Sequence, residues 1–75
     1  MIQIAFGKAV RYFRIRLGIS QEEFANRCGL HRTYISDIER GNRNVGLCNI
    51  DAIAHGLSIS LEELFAEVSK INSSD

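Results

Sequence analysis

A chain of 75 residues, 45% hydrophobic and 24% charged, has the composition of an ordinary folded domain and no length for a separate catalytic one. Nine basic residues balance nine acidic ones, but residues 1–20 carry Lys8, Arg11, Arg14 and Arg16 with no acid, while residues 47–75 set Lys70 against Asp51, Glu62, Glu63, Glu67 and Asp75; a neutral total therefore does not exclude a polyanionic partner. Met1-Ile2-Gln3-Ile4 lacks the features of a signal peptide, no stretch approaches the roughly 18 apolar residues of a membrane span, and Cys28 and Cys48 are not spaced as a disulfide framework or zinc knuckle, so the expected compartment is reducing cytoplasm.

Apolar residues at Ile2, Ala5, Phe6, Ala9, Val10, Phe13 and Leu17 recur at helical spacing up to Gly18, which predicts a first helix over about 3–17. Ser20-Gln21-Glu22-Glu23 is a capping box that opens a second helix over 20–28, closed by Gly29 with Leu30 as the apolar residue of a tight turn. Tyr34, Ile35 and Ile38 mark one face of a short third helix over 32–40, ended by Gly41-Asn42. Leu47, Ile50, Ile53, Ala54 and Leu57 form a fourth stripe over 47–56, with Gly56 as its terminator, and Ser60-Leu61-Glu62-Glu63 opens a fifth helix over 60–70. The reading is one all-α, five-helix domain over 1–71 and a frayed tail over 72–75. Leu47, Ile50, Ile53, Leu64 and Cys28 are expected in the core, and His55 partly exposed.

Paired acids at Glu22-Glu23 and Glu62-Glu63 lie in first helical turns, where acids favour the helix dipole, and neighbours in sequence do not face each other on a helix. They read as caps rather than as catalytic pairs. No His, Cys, Asp or Glu grouping has metal-ligand spacing, and there is no glycine-rich phosphate loop or nucleophile set, so neither a metal, a cofactor nor an enzymatic activity is expected.

Two short helices joined by a glycine turn are the geometry that seats one helix in a DNA major groove while the other braces it on the backbone. On the third helix Arg32, Thr33, Ser36 and Asp37 are free to point outward. Arg32 suits a two-pronged hydrogen bond to guanine, and Thr33 suits a thymine methyl. Gln21, at the start of the second helix, suits a phosphate, and Arg43 and Asn44 follow the third helix within reach of the backbone or the next base pair. Shape alone is also compatible with a protein-interaction module that binds no DNA.

The string Gln21-Glu22-Glu23-Phe24-Ala25, Cys28-Gly29-Leu30 and Thr33 to Gly41 resembles the helix-turn-helix of Cro and lambda-repressor-like transcription regulators, and His31 to Asn44 looks most like the controller proteins of restriction–modification systems. The resemblance implies a homodimeric regulator, cytoplasmic and nucleoid-associated in a bacterium, on a pseudo-palindromic operator of double-stranded DNA, with RNA polymerase as a further candidate partner. It implies base contacts from Arg32, Thr33, Tyr34, Ser36 and Arg43, phosphate contacts from Gln21 and Asn44, and an internal ion pair between Arg14 and Glu39. A phage-type repressor or an antitoxin shares the same pattern. His31 departs from the usual small polar or acidic residue there. Ile59, Leu61, Phe65, Val68 and Ile71 are a surplus of apolar side chains for so small a core, and part of this face, Ile59, Leu61, Phe65 and Val68, is expected to form a two-fold dimer interface.

Overall fold

In a computed structural model that describes residues 1–74, five helices follow one another: α1 Ile2–Leu17, α2 Gln21–Cys28, α3 Arg32–Glu39, α4 Leu47–Leu57 and α5 Leu61–Ser73. Their ends have local causes. The hydroxyls of Ser20 and Ser60 accept hydrogen bonds from the backbone N–H of Glu23 and Glu63, each at 3.0 Å, which satisfies one orphan donor per helix. The reverse half of each box is not made among the described residues; Glu23 turns instead to Arg27, 3.4 Å away. Gly18 and Gly29 close α1 and α2 in the left-handed region, both at φ 71°, where a side chain would clash with its own backbone.

α1 lies against α3 on one side and α5 on the other, while α2 packs on α3 and α4. Phe24 of α2 is fully buried and belongs to one apolar core with Val10, Ile35, Ile38, Ile53, Leu57, Leu64 and Val68. Each such side chain contributes about 1.5–3 kcal/mol through burial, against about 1 kcal/mol for a cap, so the core holds the helices and the caps only set where they begin. Gly7 marks the tightest crossing: a Cβ there would run into the carbonyl oxygens of Ile38 and Glu39. This close approach fixes the end of α3 against α1.

Three expectations need correction. Leu47 is 78% exposed, because it is the first residue of α4 and precedes the turn that meets the core. Gly56 does not end α4; it lies inside the helix, and its missing side chain makes room for the Cys28 sulfur and the Phe24 ring. Ser58, at φ 60°, terminates the helix instead. At the C-terminus α5 includes Asn72 and Ser73, and Asp75 of the expected frayed tail lies outside the described residues.

Candidate nucleic-acid interface

The turn between α2 and α3 is built by Gly29 and by Leu30, whose N–H donates to the Ala25 carbonyl at 3.0 Å while its side chain packs on the core. The chain reverses within three residues and α3 begins at Arg32. Ile35 and Ile38 anchor its inner face. Arg32 and Thr33, in its first turn, are exposed and make no side-chain hydrogen bond or ion pair among the described residues. His31 occupies the N-cap position without a side-chain cap bond, so the N–H groups of this turn are open as well.

The far end of α3 is pinned. Arg14 donates from Nε and Nη2 to the two carboxylate oxygens of Glu39 at 2.6 and 2.9 Å, and from Nη1 to the Ile19 carbonyl at 2.9 Å. The side chains of Arg14 and Glu39 are 12% and 3% exposed. Hydrogen bonding to Glu39 raises the Arg14 pKa above its already high ordinary value, against the opposing effect of burial. Gln21 also donates to Glu39, at 3.1 Å. Its side-chain amide is therefore turned into the protein, which leaves its backbone N–H as the group presented at the start of α2.

A second network ties α3 to the loop that follows it. Asp37, expected to point outward, accepts from Arg40 at 2.6 Å and from Nε and Nη2 of Arg43 at 3.3 and 3.2 Å. Arg40 also donates to the Ser36 hydroxyl at 2.7 Å. The Arg43 guanidinium lies over the Tyr34 ring, 5.1 Å from its centroid, and the Tyr34 hydroxyl accepts from Asn49 of α4 at 3.1 Å. Tyr34, Ser36 and Arg43 are thus brought into one network through Asp37 and Arg40, which the side chains of Arg32 and Thr33 in the first turn of α3 do not join. Sequence reasoning missed Asn49 and the role of Asp37; the one available signal was an acid three and six residues ahead of two arginines.

Asn44 is exposed and lines a cleft of 130 Å³ with Ile2, Phe6, Val45, Ile50 and Phe65. Phe65 stands 6.1 Å from Phe6, ring centre to ring centre, and like Leu61 keeps an exposed edge. Ile59 and Ile71 are half-buried against the core. Val68 does not belong with them: it is 1% exposed and packed inside its own domain, so the expected dimer face loses this residue. Leu47 supplies an exposed apolar side chain that sequence reasoning had assigned to the core. Among the described residues no three His, Cys, Asp or Glu side chains gather as metal ligands, and no helix is long and apolar enough to cross a membrane.

A braced α2, a glycine turn and an α3 with an open first turn define a helix-turn-helix, and residues 10–64 match the Helix-turn-helix family model. The chain belongs to this family of DNA-binding regulators. It is 50% identical to control protein C.BamHI of Bacillus amyloliquefaciens over 64 residues, 84% of this chain and 79% of that one. It is 46% identical to control protein C.MunI of a Mycoplasma species over 70 residues, 92% of this chain and 95% of that one. Its fold is similar to that of the restriction-modification controller protein C.AhdI from Aeromonas hydrophila, with a TM-score of 0.82 and 44% identity over 84% of this chain and 96% of that one.

Proposed function

We propose that this protein is a sequence-specific transcriptional regulator that binds a pseudo-palindromic operator as a homodimer and controls a restriction–modification operon, its own gene included. The observation that carries the DNA-reading role is the open first turn of α3, where Arg32 and Thr33 are exposed and uncommitted beside a pinned scaffold. A guanidinium held free on a rigid helix can meet guanine O6 and N7 bidentately. Tyr34, Ser36 and Arg43 extend the reading surface toward the next base pairs. The backbone N–H groups at the start of α2, beginning with Gln21, and the side chain of Asn44 position the protein on phosphates.

The similarity to the control proteins supports the restriction–modification role, and the match along most of the chain supports a regulator without enzymatic activity. Ile59, Leu61 and Phe65, joined by Leu47, form the dimer face in this reading. Two copies of α3 then enter successive major grooves about 34 Å apart. The regulator works in the cytoplasm, on the nucleoid, with RNA polymerase as the machinery that its occupancy blocks or recruits.

Gel-shift titration with the DNA upstream of its own gene, at fixed near-physiological salt and with excess random DNA as competitor, tests the reading. A discrete complex that survives competition is expected. A folded, dimeric protein that forms no such complex would contradict it and would favour a protein-interaction module on the same fold.

A further inference from the structure

The geometry points to Asp37 as a specificity-setting residue that holds Arg43 in one orientation and masks part of the positive charge at the DNA-facing end of the molecule. This rests on the DNA-binding reading above and adds to it a residue that makes no attractive contact with phosphate. Thr33, Asp37 and Arg40 follow one another at steps of four and three along the outward side of α3 and its C-cap, with Ser36 beside them, three residues past Thr33 and four short of Arg40. A carboxylate on that strip faces a polyanion, where it costs affinity unless cations cover it. Asp37 is covered by two guanidinium groups, Arg40 at 2.6 Å and Arg43 at 3.2 Å. The cations are themselves half exposed or more, at 60% and 50%, whereas Asp37 is 20% exposed, so the cluster presents positive charge outward and hides the acid beneath it.

The arrangement has two consequences. Arg43 is gripped from two sides, by its Nε and Nη2 bonds to Asp37 and by the Tyr34 ring under its plane. Tyr34 is in turn held by Asn49. A guanidinium so restrained loses little further freedom when it meets DNA, and it can reach only the acceptors in front of it. One of the two arginine charges is also offset by Asp37, which weakens the attraction that any DNA exerts. Binding to random sequence is almost wholly this electrostatic attraction. Asp37 therefore lowers affinity for random DNA more than affinity for the operator, where Arg43 is already aimed.

Removing the carboxylate charge frees both arginines. Asp37→Asn is expected to steepen the salt dependence of binding to random DNA by about one in the log–log slope, as one further phosphate contact would. The ratio of operator to random affinity is expected to fall about tenfold, the effect of one mismatched base pair. Asp37→Glu keeps the charge and should keep a wild-type slope, and Asp37→Ser should repeat the effect of Asp37→Asn should that variant lose its fold. The measurement is fluorescence anisotropy on a labelled random duplex and on the DNA upstream of the gene, across a salt series, with the thermal midpoint of each variant recorded. A merely structural role would lower the midpoint and weaken both DNAs together without steepening the slope. An unchanged slope in Asp37→Asn, or the same change in Asp37→Glu, overturns the assignment. Wild-type protein that binds both DNAs equally contradicts the operator reading instead, and the slopes on random DNA then decide Asp37 by themselves; wild-type protein that binds neither overturns both.

Discussion

Glu39 has a side chain 3% exposed and rests on Arg14 for its counter-charge, with Gln21 adding one hydrogen bond. Taking away one member of such a buried pair strands the other charge, which costs about 3–5 kcal/mol. Arg14→Ala should therefore lose that amount in urea unfolding at fixed protein concentration. Arg27→Ala breaks an exposed pair at 3.4 Å, with both side chains at least 40% exposed, and should lose about 1 kcal/mol or less. Equal losses in the two variants would remove Arg14 from the structural role given to it. Cys28 adds a pH effect. Burial raises its thiol from the ordinary 9.0 to about 11, so the folded state holds this proton more tightly than the unfolded chain does. The contribution is complete below pH 9 and shrinks as pH climbs from 9 to about 11. Urea midpoints should fall more steeply across that window in the wild type than in Cys28→Ala.

At the scale of the element, Ser58 closes α4 at φ 60°, a left-handed conformation that costs a side-chain-bearing residue energy and glycine none. Ser58→Gly is expected to raise stability by about 0.5–1 kcal/mol, the strain relieved less the extra freedom given to the unfolded chain; thermal unfolding checks it, and a loss would mean that the serine makes compensating contacts. The same turn shows what the sequence discloses about helices and what it hides. Capping serines at Ser20 and Ser60 and closing glycines at Gly18 and Gly29 announce themselves, because their chemistry acts within one turn of the chain. Gly56 resembles them in sequence, yet its reason is the Cys28 sulfur and the Phe24 ring, which arrive from α2. Leu47 fits the α4 stripe, but helical period says nothing about how far along the helix the core extends. Distant partners decide both, and no local pattern contains them. Asp37 is a further instance: its outward position on α3 follows from helical spacing, whereas its pairing, which leaves it only 20% exposed, depends on how the loop to Arg43 folds back.

For the whole molecule, the apolar side chains Ile2 and Phe65 share a cleft with Arg43 and Asn44. Arg32, Arg40 and Arg43 lie on or just beyond α3, and the acids Glu62, Glu63 and Glu67 lie on α5. The α5 stripe runs through Leu61, Leu64, Phe65 and Val68. Its period identifies an apolar helix but not which side of it is claimed by the domain's own core; the fold gives Leu64 and Val68 to the core and leaves edges of Leu61 and Phe65 outside. On the proposed dimer face, Leu61→Glu should weaken self-association by about 2 kcal/mol or more, as a central interface residue would. Sedimentation should then show monomer at concentrations where the wild type is dimeric, with the helical circular dichroism unchanged. An unaltered dimer would place the interface elsewhere.

Hydroxyl-radical footprinting of the protein on the DNA upstream of its gene, in excess random competitor, distinguishes a two-fold operator read by paired α3 helices from any other mode of binding. The expected pattern is two protected clusters related by a two-fold axis and centred about 10–10.5 base pairs apart. A single cluster, or protection spread evenly along the fragment, would contradict it.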